Sequence, residues 1–200
     1  APDSLDTEPY LAMVPGARVL RFADDYFSST ESYSELMLSE RFYESILEYE
    51  YLLIHQLDAF VFTDQLLTWC SAGYDYVGAP WPRLQFRVGN GGFSLRRPAV
   101  CLEVLRSPLH EDARTYWKLT YANEPLRVRI TNHHKKRVKL LHIGTGVRSL
   151  LRRKPMEDQF WGTYAPRYWP GFKVAPFEAA IMFAFEEGLR DLYHHYEARP

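Results

Sequence analysis

Short apolar runs alternate along this chain with stretches of helical spacing. After an irregular opening over 1–16, rich in Pro, Asp and Ser, RVLRF (18–22) has the pattern of a short strand. SSTESYSELML holds the Ser28-x-x-Glu31 spacing of a capping box. Ser39 then opens a second predicted helix, in which Phe42, Tyr43, Ile46 and Leu47 fall at helical spacing opposite Glu44 and Glu48. YLLIHQLDAFVF (51–62) is apolar almost throughout and predicts a buried strand interrupted by polar groups at His55–Asp58. DQLLTWC (64–70) predicts a short helix closed at Ala72–Gly73, and YDYVGAP (74–80) another buried strand. VGNGGFSLR (88–96) predicts a Gly-rich turn running into a strand, and RPAVCLEVLRS a helix with Pro98 in its first turn. Beyond a mixed, β-rich stretch at 125–156, helices are predicted at 156–163, 177–187 and 189–196. Strands alternating with helices predict an α/β fold with a mainly parallel, Rossmann-like sheet flanked by helices. The 200 residues make one domain, and no segment recurs at a fixed period.

Charge changes the picture more than composition does. The formal net charge of −1 hides two opposite halves. Between Glu124 and Glu157 there is no acidic residue but ten basic ones, whereas residues 1–64 hold 13 acidic and 3 basic residues. The basic stretch reads as an insertion at about 106–154. No apolar run approaches the roughly 18–20 residues of a membrane span. Cys70 and Cys101 cannot make a disulfide framework and read as buried thiols of a reducing compartment, with a single bridge between them as the alternative. The chain opens APDSLD without a signal peptide, as a processed chain or a fragment would.

Four places carry candidate chemistry. Asp58, at the end of a buried apolar run, is where a carboxylate would hold a divalent cation and substrate phosphates, or would cap a turn. Gly89, Asn90, Gly91 and Gly92 allow positive φ and close approach of a ligand to the backbone, and serve a tight turn equally well. Phe93 reads as core, and Arg96 as an anion contact or an exposed charge. Glu157 and Asp158 fit the first turn of a helix, where the dipole favours negative charge, and such a carboxylate can also accept a proton from an attacking hydroxyl. Gly144-x-Gly146 followed by Arg148 and Arg152 is a weak anion-binding pattern. His133–His134 and His194–His195 fit no zinc spacing.

Taken in order, YEYLLIHQLDAFVF, GYDYVGAPW, VGNGGFSLR and EDQFW resemble a family of GT-A-fold glycosyltransferases catalogued as a domain of unknown function. The resemblance runs from about Pro2 to Glu187 and implies a GT-A-like fold. It also implies transfer of a sugar from a nucleotide-sugar donor to an acceptor hydroxyl, with inversion. Gln56-Leu57-Asp58 stands where such enzymes carry Asp-x-Asp, so Asp58 would bind Mn²⁺ or Mg²⁺, with Gln56 beside the donor. Trp81 would stack on a sugar ring. Asn90, Gly91, Gly92 and Phe93 would line the sugar pocket, with Arg96 as a further donor contact. Asp158 would be the base, paired with Glu157. On this reading both ends of the domain are clipped, because no first strand precedes Arg18 and the family continues past Pro200.

The acceptor would be a glycan, a lipid-linked molecule or another hydroxyl compound. The basic insertion suits an anionic one. Such an enzyme would be cytoplasmic, beside a membrane where acceptors are assembled. Two other readings remain: a sugar- or nucleotide-binding module without catalysis, and a nucleic-acid-binding protein using the 127–154 stretch. The acidic N-terminal third argues against nucleic acid as the partner.

Overall fold

Serine hydroxyls set two of the early helix starts. The computed structural model describes residues 1–81, 87–107, 147–152, 154–186, 188 and 190. After α1 (Glu8–Met13) and a 3₁₀ turn (Asp24–Phe27), α2 (Thr30–Met37) begins at Ser29. Its capping box is Ser29 with Ser32, one residue later than the Ser28–Glu31 spacing suggested. Ser39 caps α3 (Glu40–Glu44) as expected, its Oγ accepting the Phe42 N–H at 3.1 Å.

Three strands follow: β1 (Leu52–His55), β2 (Tyr76–Gly78) and a two-residue β3 (Pro80–Trp81), with α4 (Leu66–Ser71) between the first two. Gly73, at φ 76°, closes the α4 turn. Next come β4 (Arg87–Val88), β5 (Phe93–Arg96) and α5 (Pro98–Arg106). The described C-terminal part holds α6 (Val147–Leu151), α7 (Glu157–Gln159), a π-turn (Phe160–Tyr164), α8 (Ala165–Tyr168) and α9 (Phe177–Phe183).

The sheet corrects the expected fold class. Among the described residues it is three-stranded, in the order β1-β5-β2, and both pairings are antiparallel. β3 and β4 form a separate two-stranded antiparallel pair. The mainly parallel, Rossmann-like sheet of a GT-A-like fold is not what the described residues form. The cause lies between β2 and β5, where the described backbone holds no helix. The described part of this connection is β3, β4 and the Gly-rich turn, and the chain comes back antiparallel instead of crossing over a face.

The long apolar run at 51–62 is also only half strand. It turns after His55, where the Ala59 N–H bonds Gln56 O at 3.0 Å, and leaves Leu57, Phe60 and Phe62 exposed. RVLRF forms no more than a single bridge, from Phe22 to Pro2.

β5 is the central strand, and Ser94, Leu95 and Arg96 are all buried. Beneath it α3 packs on α5, and Val104 and Leu105 join Tyr43, Tyr76 and Val77 in the core. Trp161 stands edge-on to Tyr43 at 5.6 Å and stacks on Phe172 at 5.8 Å, so the π-turn is anchored on its inner side. Phe160 is also fully buried, which contributes about 1.5–3 kcal/mol. Cys70 and Cys101 are both free, and burial pushes the Cys101 thiol up to about 12, which makes it inert at neutral pH. Among the described residues no helix is long and apolar enough to cross a membrane. Most of the basic stretch, including 108–146, lies outside the described residues, as does the helix expected at 189–196 apart from residue 190.

Candidate active site

Gly89–Gly92 links β4 to β5 and is held at every residue. The Gly89 and Asn90 N–H groups donate to Ala79 O at 3.3 and 3.0 Å. The buried Tyr76 hydroxyl lies 2.7 Å from Gly89 O and 3.0 Å from Asn90 O, so one proton serves both carbonyls. Ser94 Oγ donates to Gly91 O at 3.0 Å. Asn90 Oδ1 accepts the Gly92 N–H at 3.0 Å, and the Gln56 N–H donates to Gly92 O at 2.9 Å. The Asn90 amide also donates to Glu186, beyond α9.

These glycines do not supply positive φ; among the described residues the left-handed glycines are Gly16, Gly73 and Gly188. They supply room. A Cβ on Gly91 would lie 1.9 Å from Glu157 Oε1, and one on Gly89 would lie 2.3 Å from the Trp81 ring. Protein groups, rather than a ligand, fill the space where those side chains would be.

Glu157 opens α7 immediately opposite this loop. Its N–H approaches Ser34 Oγ of α2 at 3.4 Å, and its carboxylate is almost wholly buried. Oε2 lies 2.8 Å from Arg96 Nη2, and Arg96 has no exposed surface. The guanidinium is further occupied by Ser94 Oγ, at 3.1 Å from Nε and 3.0 Å from Nη2, and by Tyr43 Oη at 3.3 Å. It also lies over the Tyr76 ring, 5.4 Å from the centroid. Burial raises the Glu157 pKa, with Arg96 opposing and Asp158 adding to the rise. Arg96 stays protonated: burial disfavours its charge, but Glu157, Tyr43 and Tyr76 more than offset that.

Asp158, one residue on, is only partly buried. Its Oδ1 accepts the Gln159 N–H at 2.6 Å, and burial raises its pKa above the usual aspartate range. Its backbone carbonyl oxygen lies 3.2 Å from where a Gly89 Cβ would be. The π-turn then presses Gly162 against Val88 O and Gly89 Cα, which fixes the first turn of α7 beside the loop.

Residues 16–200 match the model of a family described as proteins of unknown function, DUF5672. The chain belongs to the DUF5672 family. No curated protein and no solved structure matches it.

In this DUF5672 chain the predicted residues divide into three groups. Gln56, Trp81, Asn90, Gly91, Gly92, Glu157 and Asp158 come together around the loop. A Cβ on Gly92 would meet Gln56 Oε1 at 2.7 Å. Phe93 borders them, edge-on to His55 at 5.5 Å and stacked on Phe183 at 5.1 Å. Arg96 is underneath rather than in the site: with no exposed surface, it reaches the loop through Glu157, Ser94 and Tyr76 and through its own Nη2, 3.3 Å from where a Gly91 Cβ would be.

Asp58 stands apart and exposed in the turn after β1. Among the described residues no three or more His, Cys, Asp or Glu side chains form a group able to hold a metal ion. Asp58 is in no such group among the described residues, so a divalent ion there would rest on one carboxylate and the donor phosphates. Gly144 and Gly146 lie outside the described residues, as does the Arg148 side chain, whose backbone is in α6. Arg152 is exposed on the rim of a different hollow of about 270 Å³, with Tyr26, Glu35, Leu38 and Lys154 among its neighbours.

Sequence reasoning missed Tyr76, Ser94, Tyr43 and Ser34. Ser94 and Arg96 were within reach, because alternate residues of a strand share a face and Ser94 must point where Arg96 points. The other three had no distinguishing signal: Tyr76 and Tyr43 look like ordinary core aromatics, and Ser34 is one of four serines between positions 28 and 34.

Proposed function

We propose that this chain transfers a sugar from a nucleotide-sugar donor to an acceptor hydroxyl, with Asp158 as the base. One observation carries the reading. The Gly-rich loop and the Glu157-Asp158 turn, far apart in sequence, meet with Glu157 Oε1 against Gly91 and with Trp81 and the Asp158 backbone against Gly89.

The result is a surface with an aromatic ring, a rigid loop and one partly exposed carboxylate of raised pKa. In the proposed step Asp158 takes the acceptor hydroxyl proton as the acceptor oxygen bonds to the anomeric carbon. The bond to the diphosphate breaks, and the electron pair leaves with the nucleoside diphosphate. Attack from the face opposite the leaving group inverts the anomeric centre. An aspartate made more basic by burial suits a base working near neutral pH. Trp81, half-buried, offers a face for a sugar ring.

A sugar- or nucleotide-binding module without catalysis is the second reading, favoured by the exposed, solitary Asp58. Thermal shift with a panel of nucleotide sugars, with and without Mn²⁺, followed by a transfer assay, separates the two. Stabilisation by a donor with turnover lost in Asp158→Asn supports transfer. Stabilisation without turnover in the native chain supports the binding module. No stabilisation by any nucleotide sugar defeats both.

A further inference from the structure

We infer that Arg96 is the positioning residue of this site, which it locks from beneath. Gly89 and Asn90 are one contact removed from its guanidinium, and Gly91 meets it directly as well, Nη2 lying 3.3 Å from where a Gly91 Cβ would be. Glu157, paired with Arg96 at 2.8 Å, abuts Gly91. Ser94 Oγ, which accepts from Arg96, donates to Gly91 O. The Tyr76 ring lies under Arg96, and its hydroxyl holds Gly89 O and Asn90 O. Tyr43 Oη takes the remaining arm of the fork, and Ser34 fixes the Glu157 backbone from α2.

A planar guanidinium with five donors can serve Glu157, Ser94 and Tyr43 together, and an ammonium at the end of a flexible stem cannot. Arg96 therefore sets the distance between the loop and the first turn of α7, and with it the place of Asp158 relative to the loop. The inference rests on the glycosyl-transfer reading only for the identity of the ligand; the lock is a property of the chain alone.

Hydrogen exchange tests it without a substrate. In Arg96→Lys the amides of residues 87–93 should exchange about tenfold faster relative to those of β1, where local opening is otherwise limited by the sheet. Ser94→Ala should give the same local signature, and it keeps the inference testable if Arg96→Lys does not fold. Val104→Ala, a buried position of α5 whose aliphatic side chain makes no hydrogen bond or ion pair, is the control. It should raise exchange across the sheet and the loop together. A loop-specific gain in Arg96→Lys or Ser94→Ala and not in Val104→Ala supports the lock. Equal gains in all three at matched stability, or loop exchange unchanged in both site variants, overturns it.

Where a nucleotide sugar binds the native chain, Arg96→Lys should also weaken that binding about tenfold, the loss expected when a preformed loop must be ordered on binding. Unchanged affinity in a variant whose loop has loosened overturns the positioning role. If no nucleotide sugar binds the native chain, the functional reading fails and the exchange comparison still decides the lock.

Discussion

Gly91→Ala is the sharpest single perturbation of this arrangement. Its new Cβ would lie 1.9 Å from Glu157 Oε1 and 2.9 Å from that carboxyl carbon. The carboxylate must retreat by more than 1 Å to reach even the 3.0 Å limit for such contacts. Arg96 Nη2 lies 2.8 Å from the other carboxylate oxygen and 3.3 Å from the new Cβ, and it cannot move without leaving Ser94 and Tyr43. Neither charge has water to turn to, since Arg96 is fully buried and the Glu157 side chain is 7% exposed. Breaking a buried pair in this way costs about 3–5 kcal/mol, a large part of the roughly 5–15 kcal/mol that holds a domain folded.

Urea unfolding measures the loss as a lower midpoint at unchanged slope. The control is the same substitution in Glu157→Ala, where the 1.9 Å clash is gone and only the 3.3 Å approach to Arg96 Nη2 remains. There Gly91→Ala should cost less than about 1 kcal/mol more, which makes the two changes strongly non-additive. A loss below about 1 kcal/mol in the native background, or full additivity in the double variant, would show that Glu157 does not occupy the space beside Gly91.

Three further outcomes follow from the same contacts. Because burial holds the Glu157 pKa above its usual 4.5, the folded chain binds that proton more tightly than the unfolded chain does. Its effect on stability is therefore most favourable at low pH and declines as pH rises through the raised value. The urea midpoint of the native chain relative to Glu157→Gln should fall over that window, and a relative midpoint that climbs with pH reverses the sign and refutes it. Removing either member of the pair should move Asp158 in opposite directions: Glu157→Gln deletes a negative neighbour and lowers its pKa, while Arg96→Met deletes a positive one and raises it. Carboxyl-carbon NMR titration reads both, and shifts of the same sign would contradict the geometry. Tyr76→Phe leaves Gly89 O and Asn90 O without their shared donor and should cost about 1–3 kcal/mol in urea unfolding; a loss under about 0.5 kcal/mol would show that the hydroxyl does not hold the loop.

Local signals in the sequence proved reliable where one side chain or one residue's geometry decides the structure. Ser39 caps α3, Gly73 closes the α4 turn in the left-handed region, and Pro98 starts α5. Strand direction was not legible, because it depends on how the chain returns between β2 and β5, and apolar runs have no direction. The same limit explains 51–62: an apolar run looks the same whether it enters the sheet, as Leu52–His55 does, or turns out of it, as Leu57–Phe62 does. For the site, residue types identified the Gly-rich loop and the carboxylate pair but misjudged what surrounds them. Glycines that read as space for a ligand are filled by Glu157 and Trp81, and an arginine that read as a donor contact is in the core.

That placement gives the two adjacent carboxylates different jobs. Neighbours on a helical turn point about 100° apart, so a helix start that aims Glu157 at Arg96 must aim Asp158 elsewhere, here where its Oδ1 accepts the Gln159 N–H and it is partly open to solvent. Glu157 pairs with Arg96, and the Asp158 pKa is raised by its own burial, with the Gln159 N–H and Arg96 opposing the rise. A lone buried Glu157 would make Asp158 a stronger base but leave an uncompensated charge beneath a loop of glycines. A lone Arg96 would make Asp158 a weaker one. The paired arrangement keeps the carboxylate basic and its supporting loop rigid at once, which is the condition a preorganised proton acceptor has to meet.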